Sequence, residues 1–157
     1  MRYGLLLFVW LVASCNWAAG ADADATALIS AAMSGDVSRV NDLLAQGMDP
    51  NTANTAGRTA LHFAACNGNL MTAQALLAAG ADPGQVDGRG ITPLMEASAF
   101  GHLDVVRLLI QRGVDLNVAD QAGNTALGLA NKGQHTKVSD LLGEMGASES
   151  AAQTGKK

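Results

Sequence analysis

The chain carries three histidines, two cysteines and fourteen acidic residues, the side chains from which a metal centre or a catalytic site would be built. His102 and His135 lie 33 residues apart, and Asp87 and Asp120 share that spacing. Asp49, Asp82 and Asp115 form a third column with the same step. Zinc needs three or four ligands converging on one centre, and paired carboxylates need to face one cleft with different pKa values. A fixed step does the opposite, because each member of a column sits in the same setting as the one before. The aspartates therefore read as turn residues that bind their own backbone, and the histidines as structural. Gly88-Arg89-Gly90 begins like a dinucleotide loop, but Pro93 stands where the third glycine belongs. Neither Gly-x-Ser-x-Gly, a phosphate-binding P-loop nor Cys-x-x-Cys occurs in the chain. The residues predict no enzyme, no cofactor and no metal.

The same step organises everything else. Gly57-Arg58-Thr59-Ala60-Leu61-His62-Phe63-Ala64 returns as Gly90-Ile91-Thr92-Pro93-Leu94-Met95-Glu96-Ala97 and as Gly123-Asn124-Thr125-Ala126-Leu127-Gly128-Leu129-Ala130. A weaker copy, Asp24-Ala25-Thr26-Ala27-Leu28-Ile29-Ser30-Ala31, precedes them. A fixed period of this length means stacked supersecondary units. In each, a threonine (Thr26, Thr59, Thr92, Thr125) is placed to cap a short helix, with Leu and Ala three residues apart on one face. Gly35, Gly68 and Gly101 end that helix, whereas the fourth unit has Gln134 there and a glycine at 133. A second helix follows, with Leu43, Leu76, Leu109 and Leu142 in one column and Gly47, Gly80, Gly113 and Gly146 at its exit. The prediction is an all-α solenoid of four helix-turn-helix units joined by short hairpin connections. The units are 24–56, 57–89, 90–122 and 123–155, the last incomplete. The polar residues of the first and last units read as caps, and the tail after Gly146, above all 149–157, reads as disordered.

Bulk composition agrees. Hydrophobic residues make up 48% of the chain but aromatics only 4%, which suits thin layers of small side chains. The net charge of -4 argues against nucleic acid, whose phosphates demand a basic face. Residues 1–20 read as an export signal: Arg2, then the apolar run Gly4 to Ala13, too short to be a comfortable membrane span. Two processing routes are open. Leu11-Val12-Ala13-Ser14-Cys15 resembles the lipobox of bacterial lipoproteins, with cleavage before an acylated Cys15; ordinary cleavage near residues 20–23 is the other. Asn16, where an Asp would resemble an inner-membrane retention signal, directs a lipoprotein to the outer membrane. The reading is an exported, periplasmic protein whose one tie to a membrane is the anchor at Cys15. After processing, Cys66 is expected unpaired, with a retained Cys15 as its one alternative mate.

Across residues 24–148 these columns resemble the ankyrin-repeat family, with Gly57-Arg58-Thr59-Ala60-Leu61-His62 and Gly113-Val114-Asp115-Leu116-Asn117 as its most specific phrases. Only one unit has the Pro after Thr, and only His62 fills the His position. The resemblance implies that a partner protein is gripped by the hairpin tips and the groove-facing side of the first helices. On this chain the candidate contacts are Arg58 and Asn67, Arg89, Ile91 and Phe100, and Asn124 and Lys132. Arg58 and Arg89 on neighbouring fingers, Ile91 at a tip and the lone aromatic Phe100 mark the middle of that surface, since Arg and aromatics dominate binding hot spots. The function expected is a monomeric protein-binding module in the cell envelope, a scaffold or assembly factor. An inhibitor or immunity-type protein is the alternative, and a hydrolase the remote one.

Overall fold

A computed structural model describes residues 23–149 of the chain. Among the described residues eight helices pair into four units: α1 (Ala23–Ser34) with α2 (Val37–Ala45), α3 (Ala60–Cys66) with α4 (Leu70–Ala78), α5 (Pro93–Ala99) with α6 (Leu103–Gln111), and α7 (Ala126–Lys132) with α8 (Thr136–Glu144). The first helices α1, α3, α5 and α7 pack in sequence along one row, and α2, α4, α6 and α8 form a second row behind it. The fold is an all-α repeat solenoid. The one β-like feature among the described residues is an isolated antiparallel bridge between Ala53 and Thr59. None of the described helices is long and apolar enough to cross a membrane.

The core is a continuous strip rather than a centre. Leu28, Leu61, Leu94 and Leu127 of the front row meet Leu43, Leu76, Leu109 and Leu142 of the back row, and all eight are buried. Ala31, Ala64, Ala97 and Ala130 are buried between neighbouring front helices, where a larger side chain would hold the units apart. Thr92 and Thr125 cap as their positions predict, accepting hydrogen bonds from Met95 N and Gly128 N at 3.2 Å. Thr26 does not. α1 starts at Ala23, so Thr26 lies inside the helix rather than at its start.

Neighbouring units are clasped by one repeated contact. The residue before each second helix reaches back to the end of the preceding unit's front helix. Asn69 Nδ2 donates to the carbonyl of Ala32 at 2.8 Å, His102 Nε2 to Cys66 at 2.9 Å and His135 Nε2 to Ala99 at 3.0 Å. Each clasp lies against the glycine that ends a front helix. At Gly68 the backbone has φ +70° and an added Cβ would come within 2.5 Å of the His102 ring, so both conformation and space exclude a side chain. The last unit instead puts Gln134 at φ 59°, the one described non-glycine residue in that region. Ala147–Glu149, expected in an unstructured tail, are tied to the third unit through bonds from Ser148 N and Oγ to Asn117 Oδ1, both 2.8 Å. The rest of the tail, 150–157, lies outside the described residues.

Candidate partner-binding surface

The fingers between units are stiffened by the aspartate columns. Asp87 Oδ1 accepts from Arg89 N and Ile91 N, each at 2.9 Å, and Asp120 Oδ1 accepts from Ala122 N at 2.9 Å and Asn124 N at 2.8 Å. Asn54 plays the same part in the first finger, accepting from Ala56 N and Arg58 N at 3.0 Å. Asp49, Asp82 and Asp115 hold the loops after the second helices, bonding the N–H two residues on at 2.9 Å. One carboxylate oxygen thus holds a turn at each place, and none faces a shared cleft. Fingers also brace each other: Gly88 N donates to Ala56 O at 2.9 Å and Gln121 N to Arg89 O at 3.0 Å.

On this frame the candidate contacts separate. Arg89 stands on the middle finger with its side chain 55% exposed, steadied by Asp87 at 3.3 Å. Asn67 and Lys132 are exposed; Phe100 and Asn124 are half-buried. Phe100 stacks on the His102 ring with centroids 6.4 Å apart. Lys132 Nζ donates to Asn124 Oδ1, joining those two residues, while Asn67 Nδ2 donates to Met33 O at 3.0 Å. Ile91 is not a wet tip residue. It packs against the core, and its carbonyl accepts from His62 Nε2 at 3.0 Å.

Arg58 corrects the reading of neighbouring arginine fingers. It is 4% exposed. Its Nη2 lies 2.5 Å from Glu96 Oε1 in the next unit, and the guanidinium sits 4.4 Å above the Phe63 ring. A desolvated cation is tolerable here because a carboxylate and an aromatic face both receive it. Burial raises the Glu96 pKa, with Arg58 pulling the other way. Removing one partner of such a pair strands the other charge, at a cost of about 3–5 kcal/mol. Charge reversal at Arg58 therefore tests folding, not binding. Glu96 and Phe63 escape a search for chemistry because each lies in the column that ends with Leu129. The signal was there: a carboxylate in a column otherwise filled by Ser30, Phe63 and Leu129 calls for a cation nearby.

His62 is buried among these groups. Nε2 donates to a carbonyl, so Nδ1 of the neutral ring accepts from Thr59 N at 3.1 Å and from the Thr59 hydroxyl at 2.9 Å. Burial, assisted by Arg58, lowers its pKa from 6.5 to about 4 despite the opposing bond to Ile91. It is a structural base with no open position for a substrate. No three His, Cys, Asp or Glu among the described residues stand together as a metal site would require. Cys66 is disulfide-bonded in the full-length chain, and its mate lies outside the described residues; the unpaired thiol is the expectation for the processed chain. The lipidation candidate Cys15 and the whole export signal also fall outside them.

A family model described as "Ankyrin repeats (3 copies)" matches residues 2–87 and 72–152. A comparison with curated proteins finds no match.

Proposed function

Since the chain belongs to the ankyrin-repeat family, whose repeats are generally protein–protein interaction modules, we propose that it holds a partner protein in the cell envelope as a scaffold or assembly factor. The observation that carries this reading is the division of labour in the middle of the stack. Groups suited to chemistry are buried, Arg58 paired with Glu96 and His62 bonded to Thr59 and Ile91, whereas Arg89 and Phe100 stand on braced supports with exposed area. Rigid presentation lowers the ordering cost of binding. An inhibitor or immunity-type protein would use the same surface; it would silence one enzyme in one-to-one ratio, where a scaffold would raise that enzyme's yield or activity.

The test is capture from an envelope extract by the full chain and by an Arg89→Glu, Phe100→Ala variant. Loss of one captured protein by the variant, with thermal unfolding unchanged, is the expected result. Equal capture by both chains would remove this surface from the account.

Placement in the envelope rests on the leader: the basic start, the apolar run and the lipobox-like Leu11-Val12-Ala13-Ser14-Cys15. Acylation would occupy the Cys15 sulfur and ordinary cleavage would remove it, so either route leaves a processed chain without an intrachain mate for Cys66, since the chain has two cysteines. Intact mass after denaturing alkylation reads both points. The lipoprotein proposal expects a chain starting at Cys15 with acyl mass added and Cys66 alkylated. A start at Ala21 or Asp22 would refute acylation, and an uncut chain would refute export by this signal.

A further inference from the structure

Part of the outer edge of the fourth unit is covered by the residues just after α8. Ser148 N bonds Asn117 Oδ1 of the third unit at 2.8 Å, as Asp82 N of the second unit bonds Asn51 Oδ1 of the first at 2.7 Å, so the last unit's loop is anchored as an earlier one is. The Thr125 hydroxyl donates to Ser148 O at 2.6 Å, and Asn131 Nδ2 to Glu149 Oε1 at 2.6 Å. Glu149 O lies where a side chain at Gly128 would be: a Cβ there would meet it at 2.8 Å. Gly128 lies within α7, and its backbone is not in the left-handed region. Helical glycine is costly without a reason, and the tail supplies one.

We propose that Ala147–Glu149 is a latch over the outer face of α7, with Gly128 as its seat, so that this segment controls the firmness of the fourth layer. The consequence is functional. The last unit carries Asn124 and Lys132, and anything that pulls or trims the tail loosens that end of the surface without touching the middle. The device lies outside the Arg89–Phe100 patch and does not depend on it.

Gly128→Ala in the full chain separates the latch from its rival, because the two predict opposite signs. Helix propensity alone makes Ala stabilising at this position. The latch makes it destabilising. We expect amide hydrogen exchange in α7 and at Ser148 to quicken on the order of ten-fold, with α3 to α6 unchanged. A second background, Asn117→Ala with Ser148→Gly, opens the latch beforehand; adding Gly128→Ala there should slow exchange in α7. Slower exchange from Gly128→Ala in the parent chain, or the same sign of effect in both backgrounds, would overturn the latch.

Discussion

His62 shows what a single buried residue does to the whole chain. Its neutral ring is held between the Thr59 cap and the Ile91 carbonyl, with a pKa lowered to about 4 from 6.5. As pH falls below 6.5 the unfolded chain takes up this proton before the folded one does. The stability tied to His62 is therefore complete above 6.5 and drains away as pH falls toward 4, by about 3 kcal/mol in all. Glu96 acts in the reverse sense, because its raised pKa lets the folded chain hold a proton that the unfolded chain has already released. The test must isolate His62. Denaturant unfolding of the parent and of His62→Gln between pH 7 and 4.5 should show the gap between them narrowing as pH falls. A gap independent of pH would mean that the ring is not neutral in the fold.

At the scale of elements, the second helices hold the back row by one leucine each. Leu109 is fully buried and lies between two neighbouring units, so Leu109→Ala opens a cavity at an interior interface. The expected loss is about 2–5 kcal/mol, read as a shift in the denaturant midpoint. A loss below about 1 kcal/mol would mean that the layers collapse freely around the gap. Most of this scale was legible beforehand, because the period places Leu, Ala and Gly identically in each unit and local physics does the same thing each time. Where the environment was not periodic, the columns misled. Thr26 shares a column with Thr59, Thr92 and Thr125 but lies inside a helix that starts at Ala23. Arg58 shares one with Ile91 and Asn124, yet it is buried by Glu96 and Phe63 of its own surroundings. Ala147–Glu149 show no hydrophobic pattern and are ordered by hydrogen bonds to Asn117, Thr125 and Asn131, partners that only the stacked structure brings near.

The whole molecule is a row of similar layers whose backs are spent on packing and whose fingers and groove edge are braced but uncommitted. The clasps by Asn69, His102 and His135 tie layer to layer, and the finger-to-finger bonds tie tip to tip, so the recognition edge is presented as one stiff surface. The middle of that edge was legible in the sequence for Arg89 and Phe100, whose residue types stand out at tip and groove positions. It was not legible for Arg58 and Ile91, because the same positions serve the core when a neighbouring unit supplies a partner. The central claim is that a protein partner docks on this edge. Its most direct test is hydrogen exchange of the full chain with and without the captured partner. The account predicts slowed exchange in residues 88–91 and 99–102 and none in α4 or α6. Slowing confined to α4 and α6, on the back row, would contradict it.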